Sequence, residues 1–288
     1  KYQLVENGFS ENDILKGIEV LRSQKITMGK KNLIFEKEFA KKMGAKYALM
    51  VNSGSSANLL ASFAACNPLR KNKFKRGDEV LLPALCWPTS LWPLVQTGLK
   101  PKFVDIDKDS LNVSAESFIK KITKKTKVIM LINILGISGD IDKIVKFAKK
   151  KNIIVIEDNC EALGAKLNNK FLGTYGNFGT FSFFYSHQIT SGEGGMIVCN
   201  DKKDYEILHA LRSHGWSRGP NSYKINAKKF PSFDPRYIFI NMGFNLRPTE
   251  IQASIARNQF KRFKKLRFIR TENRKKIINN IINDRRYK

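Results

Sequence analysis

Residues 179–198 read GTFSFFYSHQITSGEGGMIV. The apolar run Gly179–Phe184 predicts a buried strand that carries Ser182, and a polar turn then presents His187. A glycine-rich turn, Gly192–Gly195, leads into a second apolar run, Gly195–Val198. A single histidine among hydroxyls is usually a structural residue, so the rest of the chain must decide whether this one has a chemical role.

Outside this stretch, short apolar runs alternate with amphipathic segments, which predicts an α/β fold with a mostly parallel seven-stranded sheet flanked by helices. The other predicted strands are Tyr47–Val51, Glu79–Pro83, Lys102–Asp105, Val128–Ile132 and Ile153–Glu157. The predicted helices are Glu11–Ser23, Leu33–Lys42, Ser56–Ala65, Thr89–Thr97, Ala115–Ile122, Ile141–Lys150, Lys203–Ser213 and Thr249–Leu266. We expect residues 1–245 to form a large domain and residues 246–288 to begin a smaller, incomplete C-terminal domain.

The chain is strongly basic, with 52 Lys and Arg against 25 Asp and Glu, a net charge of +27. The lysines are scattered and Asn and Ile are frequent, so we interpret the charge as composition bias plus attraction for an anionic substrate, not as nucleic-acid binding. The basic C-terminal stretch Arg262–Lys288 fits a solvated helix face. No apolar run is long enough to cross a bilayer, and the first residues lack a long apolar region, so we expect a cytoplasmic protein without membrane contact.

The four cysteines, at positions 66, 86, 160 and 199, show no metal-binding spacing. We therefore expect neither a zinc site nor a disulfide framework.

Two further segments carry polar groups at predicted strand ends. Residues 52–58, NSGSSAN, follow a strand and open a helix, where small residues let backbone N–H groups approach a phosphate. Simple helix capping explains that segment equally well. Residues 153–164, IIVIEDNCEALG, place Asp158 at a strand end and Glu161 three residues later. Such a carboxylate can keep a pyridine nitrogen protonated, or it can be the N-cap of a helix with Glu161 in a capping box.

Taken together, these segments resemble the DegT/DnrJ/EryC1/StrS sugar-aminotransferase family of pyridoxal-phosphate enzymes, which have the aspartate-aminotransferase fold, fold type I. The resemblance runs from residues 27–29, TMG, to residues 243–250, GFNLRPTE. The family pattern is Ser-Phe, three residues, Lys, then Gly-Glu-Gly-Gly. Here Ser182 and the glycine-rich turn are in register, but His187 stands in the lysine position, and no lysine occurs from Phe171 to Asp201.

The resemblance implies roles for individual residues. Trp87 would stack on the pyridine ring, Asp158 would pair with its nitrogen, and Glu161 would lie at the cofactor face. Gly54, Ser55 and Ser182 would bind the cofactor phosphate. Asn245 would bind that phosphate from the second subunit of an obligatory homodimer with a shared active site. The predicted substrate-binding residues, for the sugar and its phosphates, are His214, Arg218 and Arg247.

The exchange of lysine for histidine marks one branch of this family, the nucleotide-sugar 3-dehydratases. Imidazole cannot bind the cofactor covalently as lysine does, but its ordinary pKa of about 6.5 suits a general base. The resemblance therefore implies an enzyme that uses pyridoxal 5′-phosphate and pyridoxamine 5′-phosphate, takes its amino group from glutamate, and removes the 3-hydroxyl of a 4-keto-6-deoxyhexose resembling GDP-4-keto-6-deoxymannose. The nucleotide stays open among GDP, CDP and dTDP.

Three alternatives remain beside this prediction: an aminotransferase, an inactive relative that only binds nucleotide sugars, and a basic nucleic-acid-binding protein. The retained Trp87, Asp158 and Ser182 argue against the inactive relative, and a recognised nucleic-acid-reading motif is lacking. A second lysine-less branch carries an iron–sulfur cluster on four thiolates. Residues 216–229 contain no cysteine that could join Cys160 in such a site, so we reject that branch.

Overall fold

The structure is a computed structural model that describes residues 7–70, 74–219, 222–282, 284 and 286. Its helices are α1 (Glu11–Ser23), α2 (Lys30–Met43), α3 (Gly54–Ala65), α4 (Pro88–Gln96), α5 (Ala115–Lys120), α6 (Ile141–Lys150), α7 (Lys202–Arg212), α8 (Ser222–Lys229), α9 (Glu250–Lys261) and α10 (Phe263–Ile281). Its strands are β1 (Tyr47–Val51), β2 (Glu79–Pro83), β3 (Lys100–Val104), β4 (Thr126–Ile132), β5 (Ile154–Asp158), β6 (Lys166–Leu167), β7 (Lys170–Phe171), β8 (Phe178–Ser182) and β9 (Gly195–Cys199).

Seven of these strands form one sheet in the order β1-β9-β8-β5-β4-β2-β3. The pairs from β8 to β3 are parallel, and β9 runs antiparallel to both of its neighbours. The predicted mostly parallel seven-stranded sheet is thus confirmed. Because parallel strands end at the same edge, β5 and β8 deliver Asp158 and Ser182 to one edge of the sheet.

The sheet is buried on both faces, as its apolar strands predict. Strands β2, β5, β8 and β9 are buried along their whole length. One face packs against α3 and α7 through residues such as Leu60 and Leu208. On the other face, α2 and α9 build an aromatic layer of Phe35, Phe39 and Phe260.

A buried ion pair fixes α2 to the sheet and to α7. Glu36 accepts a hydrogen bond from Arg212 Nη1 at 2.7 Å and another from the backbone N–H of Met50 at 2.8 Å. The burial of the Glu36 side chain raises its pKa, although Arg212 opposes this. Removing one partner would leave a buried charge unpaired, so this pair holds α2, β1 and α7 together.

The predicted single helix Thr249–Leu266 is wrong in its length and continuity. Thr249 is the N-cap of α9, which ends at Lys261; Arg262 is its C-cap, and α10 then runs from Phe263 to Ile281. The Arg262 guanidinium donates to Asp13 at 2.6 Å, which ties the junction of the two helices to α1.

Other predicted boundaries differ by a few residues, and some elements were not predicted. Strand β3 begins at Lys100 instead of Lys102, and β8 ends at Ser182 instead of Phe184 because the Phe184 N–H turns back to the Ser182 hydroxyl. The small hairpin of β6 and β7 and the helix α8 were missed. Ala253, Ala256 and Phe260 of α9 lie in the core beside α2. These contacts do not test the second domain that we expected from residue 246, and it stays a prediction.

Within the described residues, no helix combines the length and apolar character that crossing a bilayer requires.

Candidate active site

Asp158 lies at the end of β5, 5% exposed, in a frame of hydrogen bonds from neighbouring elements. Its Oδ2 atom accepts from Asn58 Nδ2 and from Ser90 Oγ, both at 2.7 Å, and its Oδ1 accepts from the Cys160 N–H at 3.1 Å. Asn58 is itself oriented because its Oδ1 accepts from Thr180 Oγ1 at 2.6 Å. A carboxylate has about four acceptor positions, so Oδ1 keeps one for a ligand N–H. No helix begins after Asp158, and the alternative of a helix N-cap is therefore wrong.

The neighbouring Glu157 points to the other face of β5 and serves the scaffold. Its fully buried carboxylate accepts N–H bonds from Gly173, at 2.6 Å, and from Gly176. Burial raises the pKa of Glu157 to about 7. This side chain fixes the loop before β8, the strand in which Thr180 pairs with Asp158 and which ends two residues later at Ser182.

The start of α3 meets the end of β8 at van der Waals contact. A methyl group on Gly54 would lie 2.5 Å from the Cβ atom of Ser182, 2.9 Å from its hydroxyl and 3.1 Å from the sulfur of Cys160. Only glycine allows this approach. The corner brings the Ser182 hydroxyl to the N-terminus of α3, where free N–H groups attract an anion.

Serine side chains complete this corner. Ser53 caps α3 by accepting from the Ser56 N–H at 3.0 Å, which confirms the capping interpretation of this segment, while phosphate binding stays a prediction. Ser55 Oγ lies 3.3 Å from Thr89 Oγ1, which joins the start of α3 to the start of α4. The first turns of both helices therefore face the same space.

Trp87 stands at the N-cap of α4 and is 72% exposed. It lies one helical turn before Ser90, whose hydroxyl holds Asp158. Its indole is therefore placed at the same edge of the sheet, and it has free surface on which a planar group can stack.

His187 lies in the turn after β8, where its backbone N–H donates to the Phe184 carbonyl at 3.1 Å. Burial lowers the pKa of His187, the carboxylates of Glu161 and Asp158 raise it to a smaller extent, and Arg270 lowers it. The net effect favours the neutral imidazole, which can accept a proton at neutral pH.

An open cavity of about 840 Å³ lies in front of His187. One part of the lining is Glu161, whose carboxylate accepts from the Leu135 N–H at 2.7 Å, and another part is a face of α10. A volume of this size suits a small-molecule site.

The predicted substrate residues form a second cluster, on the loops after α7 and before α9. The Ser213 and Asn245 backbones pair, and Arg247 donates through Nε to Asn245 Oδ1 at 2.9 Å. The Arg247 Nη2 atom lies 3.5 Å from His214 Nε2. The Arg218 guanidinium stacks 3.9 Å above the Trp216 ring centroid. The cluster is joined to the corner formed by Gly54 and Ser182 through Asn52, whose N–H donates to the Leu246 carbonyl at 3.1 Å.

Comparison with known proteins places this site in a family. The sequence pattern of the DegT/DnrJ/EryC1/StrS aminotransferase family matches residues 9–286. The chain belongs to this family. The matched residues include Gly54 at the start of α3, Asp158 with the residues that donate to it, His187, and the second cluster.

Among its relatives, GDP-4-keto-6-deoxy-D-mannose 3-dehydratase of Yersinia pseudotuberculosis is 43% identical over 91% of this chain and 67% of its own length. A crystal structure of a GDP-4-keto-6-deoxymannose-3-dehydratase mutant with bound GDP-perosamine has a TM-score of 0.91 at 39% identity, covering 98% of this chain and 74% of that one. The E. coli GDP-4-keto-6-deoxy-D-mannose-3-dehydratase with bound hydrated PLP has a TM-score of 0.91 at 38% identity, covering 99% of this chain and 73% of that one. The chain spans about two thirds of the length of the curated relatives it matches. These structures also confirm the predicted fold type.

Sequence reasoning missed Asn58, Ser90 and Thr180, which hold the carboxylate of this DegT/DnrJ/EryC1/StrS member in place. All three are buried, and they come from α3, α4 and β8. A polar residue inside a largely apolar helix was the available signal for Asn58, because such a group must find a partner. The sequence could not show that the partner is Asp158, 100 residues away.

Proposed function

We propose that this chain is a pyridoxal-phosphate-dependent nucleotide-sugar 3-dehydratase that removes the 3-hydroxyl of a 4-keto-6-deoxyhexose. The observation that supports this most is His187, which occupies the lysine position of the family pattern, lines the cavity together with Glu161, and is close enough to Asp158 for that carboxylate to raise its pKa. The names of the relatives, given above, favour a GDP-linked sugar. The family and the bound PLP of a relative support the cofactor.

The residues present fit this cofactor. Asp158 keeps an acceptor position that a protonated pyridine nitrogen would fill, and its other acceptor positions are held by Asn58, Ser90 and the Cys160 N–H. The close approach of Gly54 to Ser182 leaves a hydroxyl and helix N–H groups for a phosphate. Ser55 and Trp87 lie at the same edge, the first for the phosphate and the second for the ring.

The bound cofactor supplies an electron sink and carries an amino group taken from glutamate. The protein must then move a proton at the 4′ carbon of the cofactor so that the sugar 3-hydroxyl can leave. Burial keeps His187 neutral, so its imidazole can remove that proton. Because imidazole cannot hold the cofactor covalently, the bound sugar is not displaced by a lysine before the hydroxyl departs. The products are a 3-deoxy ketone, after hydrolysis, and ammonia.

The second cluster supports a site shared between two subunits. Asn245 is exposed and braced by Arg247, and His214 and the stacked Arg218 lie near it, where bidentate arginine geometry suits phosphate groups. We propose that Asn245 reaches the cofactor phosphate of the partner subunit and that His214, Arg218 and Arg247 bind the nucleotide sugar there.

The test is a comparison of the parent with His187→Asn and His187→Lys. Each protein is incubated with glutamate and GDP-4-keto-6-deoxymannose, or its CDP and dTDP analogues, while ammonia and product mass are followed. We expect the parent to release ammonia and a product lacking one oxygen, and His187→Asn to be slower by about 10²–10⁴-fold, the usual contribution of a general base. The cofactor absorbance of His187→Asn should match that of the parent, which controls for loss of the site.

His187→Lys separates the proposal from its main alternative. This variant should bind the cofactor so that borohydride fixes it covalently, and it should lose dehydration. A parent that makes a 4-amino sugar retaining its 3-hydroxyl would identify an aminotransferase instead. Borohydride fixation of the cofactor to a lysine of the parent would also reject the proposal.

A further inference from the structure

The cavity that His187 lines is also lined by a row of arginines on α10. Arg267, Arg270 and Arg274 are spaced three and four residues apart, so they project from one helix face, and all three line the cavity. Thr271 lies on the same face. This arginine row places positive charge on the same cavity as the predicted catalytic histidine, and the charge of Arg270 lowers the pKa of His187.

Two members of the row are available to a ligand. Arg267 donates through Nη1 to the Gly164 carbonyl at 3.2 Å, which anchors α10 to the loop after β5. The side chains of Arg270 and Arg274, by contrast, make neither a hydrogen bond nor an ion pair with any residue that the structure describes. Among the described residues that line the cavity, Glu161 is the only carboxylate, and it accepts the Leu135 N–H. Because Lys166 lines the cavity beside the arginines, the lining has a net positive charge, which attracts an anion.

The row lies apart from the cluster proposed for the nucleotide. His214, Arg218 and Arg247 do not line this cavity, and they sit on the loops around α7 and α9. Two separate sets of cations would thus serve two anionic molecules. The dehydratase reaction has a second anionic substrate, the amino donor, and its amino group must reach the cofactor next to His187.

We propose that Arg270 and Arg274 form the carboxylate subsite that selects a dicarboxylic amino acid as the amino donor. This inference rests on the proposed function, because it assigns a substrate of that reaction. A guanidinium matches a carboxylate with two parallel hydrogen bonds, and an amino acid with a second carboxylate gains an additional pair. The row thereby favours glutamate over donors with a neutral side chain.

The experiment measures the half-reaction in which the amino donor converts the cofactor from its aldehyde to its amine form, followed by absorbance. Arg270→Gln, Arg274→Gln and the double variant are compared with Lys276→Gln, a control that removes a positive charge from another face of α10. We expect the KM for glutamate to rise about 10- to 100-fold in the arginine variants, as the loss of charged hydrogen bonds implies. The preference for glutamate over glutamine should shrink, and Lys276→Gln should match the parent.

The KM for the nucleotide sugar, measured with the cofactor already in its amine form, is the second readout, and it should stay unchanged. An unchanged KM for glutamate with a raised KM for the sugar would overturn the inference and assign the row to the nucleotide. A parent that dehydrates normally while the arginine variants keep the parent's donor preference would overturn this inference alone. A parent that takes up an amino group but removes no hydroxyl would overturn the proposed function. In that case the KM for glutamate in the arginine variants would still decide whether the row binds the amino donor.

Discussion

Replacing Gly54 with alanine tests the phosphate corner with one methyl group. The new carbon would lie 2.5 Å from the Ser182 Cβ atom and 3.1 Å from the Cys160 sulfur, whereas carbon atoms in contact prefer separations of roughly 3.5–4.0 Å. The end of β8 or the start of α3 must therefore move by about 1 Å. Overpacking of this kind destabilises a protein by about 1–3 kcal/mol. The displaced Ser182 hydroxyl should also weaken cofactor binding.

The assay combines thermal unfolding with titration of pyridoxal phosphate, followed by absorbance. Gly54→Ala should raise the cofactor Kd by about 10- to 100-fold, since charged hydrogen bonds to the phosphate are lost. The control is Gly44→Ala, at the C-terminus of α2, where the new methyl group meets nothing within 4 Å but the φ angle of +74° strains an alanine. It should cost on the order of 1 kcal/mol of stability without changing the cofactor Kd.

A second variant separates the clash from the binding. The double change of Gly54→Ala with Ser182→Gly removes both contacts to Ser182 and should recover stability but not cofactor affinity. A Gly54→Ala protein that binds the cofactor with the parent's Kd would show that the phosphate does not sit at this corner.

The remaining predictions address pH, the Asp158 frame and the dimer. Burial lowers the pKa of His209 to about 4, so the unfolded chain takes up the proton first and stability falls as the pH drops from 6.5 towards 4. Urea unfolding at pH 6.5 and pH 4 should show that His209→Phe reduces this loss of stability by on the order of 3 kcal/mol. If the free energy of unfolding falls equally with pH in the parent and the variant, the prediction is contradicted. Asn58→Leu should weaken cofactor binding by about 1.5–3 kcal/mol, because Asp158 loses a hydrogen bond. An unchanged cofactor titration would show that the hydrogen bond from Asn58 does not prepare Asp158 for the cofactor. Mixing refolded Asn245→Ala and His187→Asn subunits should restore activity at about a quarter of the sites if each site takes Asn245 from its partner; a mixture no more active than its components would argue against sharing.

The sheet could be predicted from the sequence because its strands are short, apolar and buried on both faces. Strands β1 and β2 were predicted to the residue, as were the helices α1 and α6, since each has clear turn or capping residues at its ends. The break at Arg262 could not be predicted, because it depends on a contact with Asp13 that lies 249 residues away. Helix α8 was missed because its pattern has little amphipathic character.

The candidate site was predictable to the extent that its residues lie in local patterns. Asp158 and Ser182 each end a strand, Gly54 and His187 each follow one, and the sheet brings those strand ends to one edge. The side chains that orient Asp158 were not predictable, because their contacts join α3, α4 and β8 across the core. The sequence predicted α10 only as a solvated basic helix face. Which of its arginines line the cavity depends on how the helix packs, and the sequence does not show that packing.

The way in which the site is built explains how one residue can change its chemistry. Asp158 is held by Asn58 and Ser90 from α3 and α4, and Gly54 and Ser182 meet by backbone packing. None of these contacts involves the His187 side chain, which lies on the turn after β8. A lysine or a histidine at position 187 can therefore face the same cofactor cradle. If His187 acts as proposed, the exchange of lysine for histidine changes the chemistry without any change in the sheet, and the proposed arginine row would select the amino donor from outside the cofactor-binding residues.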